Sequence, residues 1–463
     1  MSSTIVDRYR VDTVFVDRHR VCRDTVSVVT YTSMSNVVLS SQKLSAMNNR
    51  DQATRQTFSP FLPTTNAVVK PFEWSRLELS AVGNINTQCG HPIMFPLSKA
   101  GLITKIECEM KITHTGTQAK KKLSNLAPLF LIDHVDLQNP QSTSMERLYG
   151  TGIAQSILAH TLPESENNQL KTNYKYDSEA QREANATAQQ TYLFDLPFYF
   201  SNRPASALPV NLINGTCNLL FTMKEISEIL DLTSAASGTN TATMDSFKIY
   251  VTYAVLGREH ASIYESRLLG GPTEYAARDM SQQIVPFTGV SAQNDYKIKL
   301  DGISNLCSEL TFMLIPQTEW TNKAWVDDLR QLTNIDFRAS GRSFLQSTLT
   351  HQAMKDIHQW RGYGNTPKKS FDNEHSETYS GAGVTRFTEE QNCYVMHWSV
   401  FPAQKYVNSG VISWDAVNNP EIHFQATLGS TETFYFVCVS HNRSLVRLDP
   451  TSNGLKMSKI SSV

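Results

Sequence analysis

The sequence predicts an all-β fold built as two β-sandwich or barrel blocks, with few short helices. The first observation is strict alternation: in KIECEMKI, residues 105–112, the apolar Ile106, Cys108, Met110 and Ile112 share one face. Alternation with a period of two is typical of a half-buried strand. Second, the segments PLFLIDHVDL, FKIYVTY, ELTFMLI and ETFYFVCV have the β-branched and aromatic residues of more fully buried strands. Many strands and few helices indicate sandwiches or barrels.

The chain divides into four segments. Its 463 residues exceed the roughly 250 to 300 at which single cores stop growing, so two domains are expected. Residues 1–68 are polar, contain an imperfect repeat of VDRYRV and VDRHRV, and are predicted to form an N-terminal arm. The first β block spans 69–257, a linker with a short helix spans 258–278, and the second β block with a C-terminal tail spans 279–463.

Three segments are candidates for helices. The first, 223–232, fits a helix or a strand, and the second, 258–269, ends at Gly270, Gly271 and Pro272. The third, 322–332, would place Trp325, Leu329 and Leu332 on one helical face.

Charge and cysteine content restrict the partners and the compartment. The formal net charge is −1, from 42 Lys+Arg against 43 Asp+Glu, so the chain lacks the long-range attraction that drives nucleic-acid binding. Its seven cysteines are scattered without a CxxC pair, which favours buried free thiols in a reducing compartment. The consecutive Lys120, Lys121 and Lys122 are predicted to form a solvated loop between strands. No transmembrane helix or secretory signal is expected.

Motifs for chemistry are missing from the sequence. There is no HxH, HExxH, GxSxG or phosphate-loop pattern, and His351 and His358 are the closest pair of histidines. Metal ligands that converge from distant strands remain open. The fragment Gly150-Thr151-Gly152 is predicted to be a turn. The sequons headed by Asn185, Asn214 and Asn442 are expected to be unmodified, since the cysteine content argues against a secretory compartment. We predict no catalytic residues, no cofactor and no metal site.

One loop is unusually apolar. LPFYFSNRPASALPVNLI, residues 196–213, starts like a buried strand and continues into a loop that still carries apolar residues. Some surface must cover that loop, because a surface loop is normally polar. The candidate contacts with another subunit or with the other β block are Phe198, Pro204, Ala207, Leu208 and Pro209. The alternative is that Ala207 and Leu208 fold back onto their own domain.

Five segments in sequence order resemble one family. Residues 196–208, LPFYFSNRPASAL, are similar to an aromatic strand and Pro turn in double-jelly-roll major capsid proteins of tailless icosahedral double-stranded DNA viruses. PLSKAGLITKI at 96–106, IDHVDLQNPQSTSMERLYG at 132–150 and FVCVSHNRSLVRL at 436–448 also resemble segments of that family. The fifth, FPAQKYVNSGVISWDAVNNPEIHF at 401–424, departs from the family pattern at Asn408, Ser413 and Trp414. The resemblance is closest to nucleocytoplasmic large DNA viruses and their smaller relatives.

The resemblance implies a fold, a function and partners. The fold would be two consecutive jelly rolls, each an eight-stranded antiparallel sandwich. The function would be that of a structural protein, a major capsid subunit that forms pseudo-hexameric homotrimers and then an icosahedral shell. Neighbouring capsomers, minor capsid proteins and vertex penton proteins would be partners, whereas an internal membrane stays open and strong direct binding to nucleic acid is not expected. The protein would be located in the virion after synthesis and folding in the host cytoplasm. Independently of the resemblance, the alternating residues of its repeat lead us to expect that the N-terminal arm faces inward or links capsomers, and the alternative is an extension with no stable structure.

A competing class also fits two β-sandwich domains. Jelly-roll folds host lectins and hydrolases as well as shell proteins, so a carbohydrate-binding or carbohydrate-cleaving protein is the alternative. Oligomeric state separates the two classes, because a capsid protein is expected to be an obligate trimer or larger.

Overall fold

The computed structural model describes residues 72–117, 122–159, 172–175, 179–201, 206–233, 238–290, 292–303, 306–343, 348–354, 357, 392–399, 410–428 and 432–460. The predicted N-terminal arm, 1–68, lies outside these residues. Within the described residues, no helix combines the length and the apolar composition needed to cross a membrane.

Strands dominate the first half of the chain. Its elements in chain order are β1 (Phe72–Leu79), β2 (Pro92–Pro96), β3 (Leu102–His114), β4 (Lys122–Leu123), α1 (Ala127–Leu131), β5 (Ile132–Gln138), β6 (Ser144–Tyr149), α2 (Gly150–Ala159), α3 (Glu179–Asn185), β7 (Gln190–Asp195), β8 (Leu208–Pro209), β9 (Asn218–Met223), β10 (Leu230–Asp231), β11 (Ala242–Leu256) and α4 (Arg258–Leu268).

The second half has the same character. Its elements are β12 (Thr273–Thr288), β13 (Ala292–Lys299), β14 (Leu306–Pro316), α5 (Gln317–Thr321), β15 (Thr333–Ala339), β16 (Arg342–Ser343), α6 (His351–Met354), β17 (Cys393–His397), β18 (Ile412–Ser413), β19 (Pro420–Leu428), β20 (Thr433–Thr451) and β21 (Gly454–Ile460). Strand β12 begins at Thr273, inside the segment 258–278 that the sequence assigned to the linker.

Each half forms two antiparallel sheets with the same strand order. The first half contains the sheets β1-β11-β3-β7 and β2-β9-β5-β6, and the second contains β12-β20-β14-β17 and β13-β19-β15-β16. In both halves the first main strand therefore pairs with the last, and the second with the last but one. This is the order of a jelly roll, which is a sandwich of two Greek keys. The predicted fold of two consecutive jelly rolls is confirmed.

Burial follows the sequence patterns. On β3, Ile106, Cys108, Met110 and Ile112 are fully buried, while the intervening charged residues point outward, as the alternation predicted. On β14, by contrast, both faces are covered. Phe312 and Leu314 belong to the core of the second roll, whereas Met313 and Ile315 belong to a core shared with the first roll. The continuous apolar run of β14 therefore reflects a sheet that is buried on both sides.

Two element predictions are wrong. Residues 128–131, the first four of the predicted strand PLFLIDHVDL, belong to the buried helix α1, which has Pro128 in its first turn. Short apolar runs do not distinguish a buried helix from a strand, and proline is well tolerated in a first helical turn. The predicted helix 322–332 is a series of turns, since Lys323 has a positive φ of 59° just after α5 ends. Trp325, Leu329 and Leu332 are nevertheless buried.

The other two helix candidates are resolved. Segment 223–232 contains the end of β9, a 3-10 turn at Ile226–Ile229 and β10. Segment 258–269 contains α4, so the helix predicted there is confirmed.

Candidate functional site at the junction of the two rolls

Four of the five predicted contact residues are covered inside the chain. Phe198 is fully buried and stacks on Phe200, with ring centroids 5.6 Å apart. Leu208 and Pro209 form β8 and pair with β3, and Ala207 packs into a small cluster with Leu102 and Ala254. Pro204 lies outside the described residues. The other four residues are therefore covered without a second subunit. A contact between them and another subunit remains a prediction.

The end of this loop, at Leu212 and Ile213, is covered by the end of the second roll. Ile213 forms a parallel bridge with Leu455 of β21, and the amide of Asn214 donates to the Leu455 carbonyl at 2.9 Å. Gly454 permits this approach, because it has a φ of +127° and a Cβ there would lie 2.5 Å from the Leu212 carbonyl oxygen. The side chain of Asn139 donates to the Met457 carbonyl at 3.0 Å. The loop is therefore part of the junction between the rolls.

Helix α2 is the main element that the first roll places on the second. The prediction of a turn at Gly150-Thr151-Gly152 is wrong, since these residues begin the helix. A Cβ at Gly150 would lie 2.0 Å from the Leu129 carbonyl oxygen, and a Cβ at Gly152 would lie 2.9 Å from Val439 Cγ1 on β20. The glycines therefore allow a helix position that any side chain would obstruct.

A buried glutamine fixes this helix on the second roll. Gln155 is fully buried; its side-chain amide donates to the Val437 carbonyl at 3.1 Å and accepts from the Thr311 hydroxyl at 2.8 Å. Both partners lie on the outer face of the sheet β12-β20-β14-β17. The glycines alone are compatible with a turn. The signal that could have indicated this helix is the helical spacing of Ile153, Ala154, Ile157 and Leu158.

Four aromatic rings cross the junction in series. Phe130 of α1 stacks on Trp325 at 5.6 Å, Trp325 meets Trp320 edge to face at 4.8 Å, and Trp320 stacks on Tyr435 of β20 at 4.2 Å. Trp325 Nε1 donates to the Glu228 carbonyl at 2.8 Å. Aromatic pairs in these geometries contribute about 0.5 to 1.5 kcal/mol beyond their burial. The segment that failed to form the predicted helix thus holds the two rolls together.

Two carboxylates join the strand edges β6 and β12. Glu146 on β6 accepts from the amide of Arg278 on β12 at 3.2 Å, while Asp279 on β12 accepts from the amide of Arg147 on β6 at 2.9 Å. Glu146 also accepts from the Tyr199 amide at 3.0 Å. Burial raises the pKa of Glu146 to about 8 and outweighs the two amide donors, which favour the charged form.

One residue of the lysine run, Lys122, does not lie in the predicted solvated loop. Lys122 is fully buried in β4 and lies 3.9 Å from Asp231, while Lys120 and Lys121 lie outside the described residues. Arg182 of α3 bonds to Asp231 at 2.9 Å and to Asp327 of the second roll at 2.5 Å. Burial alone would lower the pKa of Arg182, but the charges of Asp327 and Asp231 outweigh it and the pKa is raised. Charge runs in sequence do not show which member is buried.

Residues typical of chemistry do not converge in the described part of the chain. No group of three or more His, Cys, Asp or Glu side chains there could hold a metal ion. Cys89, Cys108, Cys217, Cys307, Cys393 and Cys438 are all free and buried, as predicted, and Cys22 lies outside the described residues. Of the three sequon residues, Asn442 is 1% exposed and its side chain donates to Ser281 at 2.9 Å.

Comparison with known proteins identifies the fold. No protein-family model matches the chain, and no curated protein matches it. Among solved structures, PBCV-1 VP54, fitted into a reconstruction of the virophage Sputnik, is similar with a TM-score of 0.59 and 14% identity, over 86% of this chain and 99% of that one. The Faustovirus major capsid protein has a TM-score of 0.54 and 10% identity, over 87% of this chain and 98% of that one.

A third solved structure gives the same result. The mavirus major capsid protein has a TM-score of 0.51 and 10% identity, over 87% of this chain and 92% of that one. The similarity covers both rolls in each case. The chain therefore has the double-jelly-roll fold of these major capsid proteins.

Proposed function

We propose that the protein is the major capsid protein of an icosahedral DNA virus and acts by self-association. The observation that carries the proposal is the likeness over both rolls, which spans 98% of the Faustovirus major capsid protein. The carbohydrate-binding alternative is not favoured, because the similar structures are named as capsid proteins. The role is structural, without catalysis.

The contact between the rolls supports assembly into a ring. In one chain, α2 of the first roll packs on the outer face of the sheet β12-β20-β14-β17 of the second. This contact is heterologous, because two different surfaces meet. Repeating a heterologous contact between subunits closes a ring when the rotation allows it. Two similar rolls in each chain make a homotrimer of six rolls the smallest ring with a pseudo-hexagonal outline, and we propose this trimer as the capsomer.

In the first roll, the outer face of the sheet β1-β11-β3-β7 is charged on β3. On β3 this face carries Lys105, Glu107, Glu109 and Lys111, and the Lys105 side chain is 41% exposed and pairs with Glu107 at 3.0 Å. A contact between subunits on this face would use exposed charges, whereas the contact inside the chain buries its apolar and polar groups. The trimer would then be more sensitive to salt than the junction between rolls, because exposed charges are screened.

Native mass spectrometry of the purified chain tests the proposal. A homotrimer at micromolar concentration is expected, and a monomer alone would contradict it. Electron microscopy of the same sample should show particles with a hexagonal outline.

The partners and the location follow from the same proposal. Neighbouring capsomers, minor capsid proteins and vertex penton proteins would contact the trimer in the virion, after the chain is made and folded in the host cytoplasm.

The net charge of −1 argues against direct packing of the genome. Duplex DNA should therefore bind only weakly at about 0.15 M salt, where the Debye length is about 8 Å. Submicromolar binding by the trimer would refute this part.

A further inference from the structure

The main sheets of the two rolls can be aligned residue by residue, because both contain the same irregularity. In the first roll the pairing of β3 with β11 skips Thr104, whose hydroxyl donates to the Thr252 carbonyl at 3.1 Å. In the second roll the pairing of β14 with β20 skips Ser308, whose hydroxyl donates to the His441 carbonyl at 3.1 Å. A bulge of this kind fixes the register of a strand pair. Thr252 and His441 therefore occupy equivalent positions, and counting along the paired strands gives the equivalents of their neighbours.

This alignment locates the equivalent of the α2 docking site on the first roll. In the second roll, Gly152 of α2 lies against Met280 and Val439, and the helix hydrogen-bonds to the Thr311 hydroxyl. The pairing registers give one equivalent for each of these three sheet residues. In the same order, the equivalents on the outer face of the sheet β1-β11-β3-β7 are Arg76, Tyr250 and Glu107.

The three equivalent side chains form one ordered surface. The Arg76 guanidinium lies 3.8 Å from the centre of the Tyr250 ring, and its Nε donates to Glu107 at 2.9 Å. Glu107 is also paired with Lys105 at 3.0 Å. The Arg76 side chain is nevertheless 52% exposed, so a partner can reach its guanidinium, which carries several N–H donors in a fixed plane. Arginine and tyrosine are the residue types enriched at protein interfaces and among their hot spots.

The matching partner element belongs to the second roll. Helix α2 lies in the connection between β6 and β7 of the first roll. Because both rolls have the same strand order, the equivalent connection in the second roll runs from β16 to β17, residues 344–392. Inside one chain, the first roll places its connection on the second roll. Repeating this heterologous contact brings the connection of the second roll onto a first roll, which is that of another copy.

We propose that the face formed by Arg76, Tyr250 and Glu107 is a docking surface for the segment 344–392 of another copy of this chain. This inference rests on the proposed self-association, and it adds the surface and the partner segment.

The chemistry of the two docking sites prevents one roll from taking the place of the other. Helix α2, GTGIAQSILA, has no charged residue, so on the Arg76 face it would bury charges without new partners. Segment 344–392 contains charges of both signs, for example Arg361 and Glu374, and fits a face that presents a cation and an anion. The difference favours an alternation of first and second rolls around the ring.

Photo-cross-linking in the full-length chain tests the surface. Glu78→p-benzoylphenylalanine places a photoreactive side chain on β1 directly opposite Tyr250, at a position whose side chain is 47% exposed. Irradiation should join it to 344–392 of another copy, which peptide mass spectrometry locates. The matched control is Gln282→p-benzoylphenylalanine at the equivalent position of the second roll, since Gln282 lies 3.4 Å from Thr151 of α2. This control should join to α2 within the same chain.

The possible failures can be told apart on the same samples. Cross-links from position 78 to any other part of another copy, or none between the copies of a trimeric protein, would overturn this surface and leave the proposed function intact. Native mass spectrometry records the trimer independently. A wild type that is only monomeric would contradict the proposed self-association, and this surface with it.

A charge reversal tests the chemistry of the surface. Arg76→Glu adds a carboxylate beside Glu78 and Glu107 and removes the cation from the partner, so trimer formation should weaken at least about tenfold. Lys297→Glu is the control, because Lys297 lies on β13 in the other sheet of the second roll and its side chain is 60% exposed. Circular dichroism checks that both variants are folded. Wild-type trimer formation by Arg76→Glu would overturn the proposal, and the cross-linking result decides if this variant does not fold.

Discussion

Trp325 of the second roll stacks on Phe130 of the first, with ring planes 14° from parallel. The two residues lie in segments whose predicted structures were wrong: a strand at Phe130 and a helix at Trp325. The contact between them is nevertheless central to the junction, because α1 is completely buried and Trp325 is only 5% exposed.

Replacing Trp325 with alanine should destabilise the protein by about 3 to 5 kcal/mol, the usual cost of removing a large buried aromatic side chain. The free energy of unfolding from urea titration measures the effect. Val82→Ala is the control, since Val82 is 57% exposed, and it should change stability by only about 0.5 kcal/mol. Equal effects of the two substitutions would contradict the role of Trp325.

Stability should fall as pH rises, through Glu146. Its pKa is raised from 4.5 to about 8, so between these values the folded protein holds a proton that the unfolded chain has released. In this range Glu146 therefore lowers the free energy of unfolding by up to about 1.4 kcal/mol for each pH unit. Above about pH 8 its contribution no longer changes with pH. Besides burial, Asp279 raises this pKa and the charge of Arg278 lowers it.

Glu146→Gln should remove this component of the pH dependence. The variant is expected to be less stable overall, because both side-chain oxygens of Glu146 accept from backbone amides and an amide nitrogen cannot accept in place of one of them. The slope of the melting temperature between pH 5 and about 8 should nevertheless become less negative than in the wild type. Glu73→Gln, at an exposed position of β1, should keep the wild-type slope. An unchanged slope in Glu146→Gln would contradict the assignment.

A methyl group at Gly150 should prevent α2 from docking. Its Cβ would meet two backbone carbonyl oxygens, of Leu129 at 2.0 Å and of Ile132 at 2.3 Å, and backbone cannot move aside as a side chain can. Gly150→Ala should therefore cost at least about 3 kcal/mol, at or above the upper end for overpacking. Gly271→Ala is the control, because nothing lies within 4 Å of its Cβ position. Differential scanning calorimetry should show a large loss only for Gly150→Ala.

The buried cysteines should resist a thiol reagent in the native protein. Burial raises the pKa of Cys89, Cys217 and Cys307 to about 12, so little reactive thiolate is present. We expect at most one thiol to react before unfolding, and all seven to react in denaturant. Rapid reaction of two or more thiols in the folded protein would show that the junction or a core opens readily.

Sequence patterns predicted the strands whose burial is determined by residues close together in the chain. Alternation on β3 reveals a sheet with one solvated face, and the continuous apolar run of β14 reflects a sheet covered on both faces. The junction was less accessible, because its contacts join residues far apart in the chain. Arg182 and Asp327 are separated by 145 positions, and neither residue is unusual in its own segment. In the sequence, Gly150 is compatible with a turn. The reason for a glycine there is the Leu129 carbonyl oxygen, which lies against it only in the folded structure.

The pairing of β21 with the Ile213 loop has a consequence for biosynthesis. Residues of the first roll leave the ribosome early, and domains generally fold as units in the order of synthesis. Here the surface around Ile213 is completed by Leu455, which is synthesised hundreds of residues later. A nascent or prematurely terminated chain therefore exposes an apolar site that chaperones and proteases can recognise. The finished strand removes this site, and full-length chains are thereby distinguished from incomplete ones.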